Sequence, residues 1–280
     1  MKRHPEFDQA PGLVYLNHAA VAPWPERTRA AVARFAAENQ LRGAQHYRDW
    51  LGVERRLRGQ LRRLVNADHD DEIALLKSTS EGLSVIAHGL DWQPGENVVT
   101  AREEFPSNRV AWQSLAPRGV TTRLVPLAGS GDPEAALFAS VDDATRLISI
   151  SAVQYADGLR MDLPRIGEFC RDRGILFCVD AIQQLGALPF DVAGIGADFV
   201  VADGHKWLLA PEGLALFYCR REHLERLALH QFGWHMVAER GDYERLDWQP
   251  AADAQRFECG SPNMLGIHAL SASLSLLEEV

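Results

Sequence analysis

The feature that most constrains this chain is a repeated alternation of short apolar runs with longer amphipathic segments between residues 73 and 218. Ile73–Leu76, Asn97–Thr100, Thr122–Pro126, Leu147–Ser151, Ile175–Val179, Phe199–Ala202 and Leu214–Tyr218 are short, rich in Val, Ile, Leu and Phe, and bounded by Gly, Pro or Asp. Such runs predict strands, and their weak polar alternation fits strands buried on both faces. Between them, Glu81–Gly89, Asn108–Leu115, Pro133–Ser140 and Leu163–Arg173 carry helical periodicity, the last closed by Gly174. Strand and helix in succession imply an α/β fold with a mostly parallel central sheet and helices on both faces. Right-handed crossovers then gather the loops after the strands along one edge.

Two helical stretches precede this unit, Pro25–Asn39 and Trp50–Val65, the second with apolar Val53, Leu57, Leu61 and Leu64. Residues 239–255 are polar and predict an irregular excursion. Leu265–Val280 is a helical pattern with no Gly, Pro or basic last turn, so a further segment is expected beyond it. The chain has 280 residues, 46% hydrophobic and 24% charged, enough for a core that needs no disulfide staples. A formal net charge of -9 without a dense basic patch argues against nucleic acid. Met1–Phe7 is charged and lacks an apolar leader core, and no stretch approaches eighteen apolar residues. Cys170, Cys178, Cys219 and Cys259 have no C-x-x-C spacing, which leaves zinc without support, and no metal site is expected. Free thiols in apolar runs suit a reducing compartment, and the expected location is the cytoplasm.

Chemistry-bearing residues cluster where the predicted strands end. Val179-Asp180-Ala181-Ile182-Gln183 follows one strand, so a rigid sheet aims the Asp180 carboxylate. Asp203-Gly204-His205-Lys206-Trp207 follows another. A lysine between His and Trp, before Leu208-Leu209-Ala210-Pro211, is poorly placed for the surface, and burial lowers the pKa of an amine. Lys77-Ser78-Thr79-Ser80-Glu81 follows a third strand and opens a helix with capping-box spacing. The N–H groups there, with the hydroxyls of Thr79 and Ser80, can hold a phosphate. Glu104-Phe105-Pro106-Ser107-Asn108 lies at the same edge.

Together these meet the demands of pyridoxal 5'-phosphate (PLP): a lysine for the aldehyde, a carboxylate for the pyridine nitrogen, a phosphate cradle and a ring cover. Lys206 and Asp180 are the expected catalytic pair. Phe105 is placed to stack on the ring, Gln183 to donate to its phenolate oxygen, and Thr79, Ser80 and His205 to hold the phosphate. A nucleotide-binding doubly wound protein would need a G-x-G-x-x-G turn, and none follows an early strand.

The set resembles class V aminotransferase-like PLP enzymes of fold type I, the group of cysteine desulfurases, selenocysteine lyases, kynureninases and isopenicillin N epimerase-like proteins. The resemblance rests on Tyr15-Leu16-Asn17-His18-Ala19-Ala20, Ser78-Thr79-Ser80-Glu81, Asp180-x-x-Gln183, Gly204-His205-Lys206-Trp207 and Arg256-Phe257-Glu258-x-Gly260-Ser261-Pro262-Asn263. It implies a large PLP-binding domain at 21–280 after an N-terminal segment at 1–20, with the family's small C-terminal domain absent from the chain. It also implies a Lys206 Schiff base, a quinonoid intermediate from an amino-acid substrate, and a homodimer whose site is shared across the interface. Ser261 would supply the partner's phosphate with a contact, and Gln154, preferred to Tyr155, would lie near the phenolate oxygen. Glu104-Phe105-Pro106-Ser107-Asn108 and Val153-Gln154-Tyr155-x-x-Gly158 are more similar to the kynureninase and epimerase-like members. A cysteine desulfurase or selenocysteine lyase is the alternative, and a non-catalytic PLP-fold protein the other. Asp203 stands where many members have a phosphate-binding Ser, and is expected to turn away, toward backbone donors.

Overall fold

The computed structural model describes residues 4–279. Met1, Lys2, Arg3 and Val280 lie outside the described residues, and with them the ends of the N-terminal segment and of the pattern at 265–280. Two helices lead, α1 (Glu26–Arg42) and α2 (Tyr47–Val65). Then come β1 (Ile73–Leu76), α3 (Thr79–Gly89), β2 (Asn97–Ala101), α4 (Pro106–Gln113), β3 (Thr121–Val125), α5 (Pro133–Ala139) and β4 (Thr145–Ser151). They are followed by α6 (Leu163–Arg173), β5 (Leu176–Asp180), α7 (Val192–Ile195), β6 (Phe199–Asp203) and β7 (Ala215–Cys219). A mostly irregular stretch, with short 3-10 turns at Arg221–His223 and Ala254–Phe257, leads into α8 (Met264–Leu277).

The seven strands form one sheet in the order β1-β7-β6-β5-β4-β2-β3. Pairing from β6 to β3 is parallel, while β7 runs antiparallel to both β6 and β1. The mostly parallel expectation therefore holds with one reversed strand. Successive side chains of a strand leave on opposite faces. In β5, Phe177 and Val179 enter one core while Leu176 and Cys178 enter the other. The first core lies under α2, α6 and α8; the second lies under α3 and α4. Both faces are covered, as buried parallel strands require.

Several boundaries sharpen. The strand expected at 175–179 starts one residue later and ends on Asp180 itself. Helix α3 starts at Thr79 because the Ser78 hydroxyl accepts the Glu81 N–H at 3.2 Å. Helix α4 starts at Pro106, which a first helical turn tolerates. Helix α8 packs on α1 and α2, with Ile267, Leu270 and Leu274 buried. Among the described residues no helix is long and apolar enough to cross a membrane.

Candidate active site

The carboxyl ends of β1, β2, β4, β5 and β6 surround a cavity of about 260 Å³ lined by thirteen residues, among them Thr79, Ser80, Phe105, Asp180, Gln183, His205 and Lys206. At its floor the first turn of α3 turns N–H groups without helical partners toward the site. The Thr79 hydroxyl accepts the Asp203 N–H at 3.1 Å, and the Ser80 hydroxyl donates to Ser107 at 2.8 Å. Gly82 lets this helix close on the sheet: a Cβ there would lie 2.6 Å from Val201 Cγ1.

Asp180 is fully buried at the tip of β5. Its Oδ1 accepts the Ile182 N–H at 3.0 Å and its Oδ2 accepts from Asn108 Nδ2 at 2.6 Å. Burial pushes this carboxyl above the ordinary range; the two hydrogen bonds and the Lys206 charge pull the other way. Lys206 is 8% exposed, and burial lowers its pKa against the pull of Asp180 and Asp203. Its Nζ lies 5.6 Å from the centroid of the Phe105 ring. Phe105 is 45% exposed at the cavity mouth, with Tyr155 edge-on at 5.3 Å.

Two expectations are corrected. Gln154 does not line the cavity: its amide donates to Glu104 Oε1 at 2.9 Å within the core, and Tyr155 faces the cavity instead. The chain turns sharply after β4, with Val153 bridged to Arg160, so the strand's alternation no longer tells which neighbour points inward. Asp203 does not turn toward backbone donors. Its carboxylate lines the cavity, with Oδ1 2.9 Å from His205 Nδ1. That approach lacks hydrogen-bond alignment, so both atoms are buried without a hydrogen-bond partner.

Gln183 is in the cavity wall, but one amide proton goes to the Ala19 carbonyl at 2.9 Å and its oxygen accepts the Trp207 indole at 2.8 Å. The second amide proton remains for a ligand. His18 stacks on Trp207 at 5.3 Å, so the N-terminal segment docks against the site. Ser261 is exposed and lines a separate groove with Lys77, Glu81 and Cys259; its own chain does not bring it to Lys206. The other three cysteines are buried. Asn108 and Glu104 contribute buried polar groups at the site, and sequence reasoning gave neither a role. Burial pushes Glu104 up to about 7, against hydrogen bonds from Ser151 and Gln154.

This donor set fits PLP. A helix N-terminus with two hydroxyls suits a phosphate, and His205, a lysine and a carboxylate share the remaining wall. A covered, mostly parallel sheet with that lysine after β6 and that carboxylate on β5 is the large domain of a fold type I PLP-dependent enzyme. The chain belongs to the aminotransferase class-V family, whose model matches residues 14–280. It is 35% identical over 276 residues to a probable cysteine desulfurase of Methanothermobacter thermautotrophicus, covering 95% of this chain and 67% of the relative. Against the cystine C–S lyase C-DES, solved with its product cysteine persulfide, the TM-score is 0.85 at 25% identity, over 95% of this chain and 72% of that one. A C-DES variant with glycine covalently linked to its PLP cofactor gives 0.88 at 24% identity over 96% and 72%, a likeness of fold. The chain thus spans about two thirds of the length of these relatives.

Proposed function

We propose that this chain is the cofactor-binding large domain, residues 21–280, of a PLP-dependent enzyme acting on an amino acid, with 1–20 as a docking segment. The observation that carries the reading is the buried Lys206 amine sharing one small cavity with the buried Asp180 carboxylate. When bound, PLP supplies an electron sink for charge developed at the substrate's α carbon. Lys206 would hold the aldehyde carbon. Its lowered pKa raises the share of free amine, the form that attacks a carbonyl and accepts a proton at the α carbon. Asp180 would hold a proton at the pyridine nitrogen, an ion pair that offsets the cost of its burial. Thr79, Ser80 and His205 would hold the phosphate, Phe105 would limit ring tilt, and Gln183 would donate its second amide proton to the phenolate oxygen.

Carbon–sulfur cleavage of cysteine or cystine is the reading favoured within the family, because the relatives reported above are a desulfurase and a C–S lyase. The exposure of Ser261 supports a homodimer in which it reaches the partner's cavity. The cytoplasm, with its reduced thiols, is the compartment we assign.

Protein incubated with PLP should absorb at about 410–430 nm, and borohydride should fix a pyridoxyl group on Lys206 in the peptide map. Labelling of another lysine, or of none, overturns the assignment. Incubation with L-cysteine or L-cystine in the longest natural form of the protein should release reduced or persulfide sulfur; transamination without sulfur release overturns the substrate class.

A further inference from the structure

The segment from Glu104 to Asn108 is pinned by buried polar groups at both ends. Glu104 is tied to Ser151 at the end of β4 and to Gln154 just beyond it, and Asn108 is tied to Asp180 on β5. Phe105 stands exposed between them. Asn108 is 0% exposed, in the first turn of α4. Its Nδ2, not its Oδ1, must face Asp180, because two oxygens would repel. Its Oδ1 is buried with no hydrogen-bond partner. A buried orphan carbonyl is destabilising, and an apolar side chain of the same shape would avoid that cost. The amide is therefore not explained by its own satisfaction.

We infer that Asn108 is the positioning residue for Asp180: its amide fixes the orientation of the carboxylate in the Lys206 cavity and favours its ionised form. The Ile182 N–H cannot do this alone. Ile182 lies two residues after Asp180 and moves with it, whereas Asn108 ties the carboxylate to a separate element, α4. The titratable groups around Asp180 are Asp203 at the end of β6, Lys206 just after it, and Glu104 just after β2. Burial and the Asp203 charge push the Asp180 carboxyl up, while the Ile182 N–H, the Asn108 amide and the Lys206 charge pull it down, so Asn108 is the one neutral donor from another element that favours the ionised form. The inference rests on the PLP reading of the cavity for its consequence, but not for its test.

In the cofactor-free protein, carboxyl ¹³C NMR should show the Asp180 titration midpoint in Asn108→Leu about one to two pH units higher than in wild type. In wild type, the Asn108 side-chain amide resonance should follow that same titration, a measurement that needs no variant to fold. In protein loaded with ¹⁵N-labelled PLP, the pyridine nitrogen of Asn108→Leu should lose its proton at lower pH, with PLP binding about tenfold weaker. An amide resonance indifferent to Asp180, or an unmoved midpoint in a folded variant, overturns the inference. Wild-type protein that takes up no PLP overturns the function proposed above and leaves the apoprotein titrations to decide this one.

Discussion

Glu104 illustrates how much one buried side chain can set. The fold removes it from water and gives it three donors, yet burial still pushes its carboxyl from 4.5 up to about 7. Between those values the folded protein keeps a proton that the unfolded chain releases. Stability from this group is fully present below pH 4.5 and is lost as pH rises through 7, by about 3 kcal/mol in all. Glu104→Gln keeps most of the hydrogen bonds and removes the titration. Urea unfolding of the cofactor-free variant should therefore vary less between pH 4.5 and 7 than that of wild type; equal slopes contradict the account. Lys206, Asp180, Thr79 and Phe105 were legible because each closely follows an apolar run, and the strand end alone places it at the cavity. Gln154 and Asp203 were misread because what surrounds a side chain beyond a strand end depends on turns that residue spacing does not encode. Asn108 escaped notice because it lies in a helix and its partner is 72 positions away on a strand.

At the scale of elements, the site exists because α3 closes on β6. Gly82 faces Val201 across that contact, and a methyl group there would lie 2.6 Å from Val201 Cγ1. Gly82→Ala gains helix propensity of about 1 kcal/mol but overpacks a buried contact at about 1–3 kcal/mol, so a modest net loss of stability is expected. The displaced α3 N-terminus should also weaken PLP binding several-fold, read by titration of the visible band. Val201→Ala in the same chain opens the space and should restore both; a double variant no better than Gly82→Ala refutes close packing as the cause. The apolar runs announced all seven strands but not their directions: the antiparallel β7 is as apolar and as fully buried as the parallel strand β5. Helix α7, only four residues long, is too short to carry a period.

Across the whole molecule, one buried charge cluster joins parts of the chain about two hundred residues apart. Arg58 on α2 bonds both oxygens of Glu258 at 2.7 Å, Glu54 at 2.9 Å and the Ile73 carbonyl at 2.8 Å. Glu258 also accepts the Leu75 N–H at 2.7 Å. The guanidinium thus ties the helical layer to β1, the strand that delivers Thr79, and to the segment that carries Ser261 three residues on. Glu54, His235 and Glu258 lie close enough to share a cation, but Arg58 already bonds both carboxylates. Removing one partner strands charge in the interior, whereas removing Arg58 and Glu258 together leaves only Glu54, with Arg240 3.6 Å away, to be accommodated. Arg58→Met should therefore cost about 3–5 kcal/mol in urea unfolding. Arg58→Met with Glu258→Met should cost at least about 1 kcal/mol less than the two single losses added. Strict additivity would mean that the two charges stabilise the fold independently, and that the link between α2 and the Ser261 segment is carried by apolar packing alone.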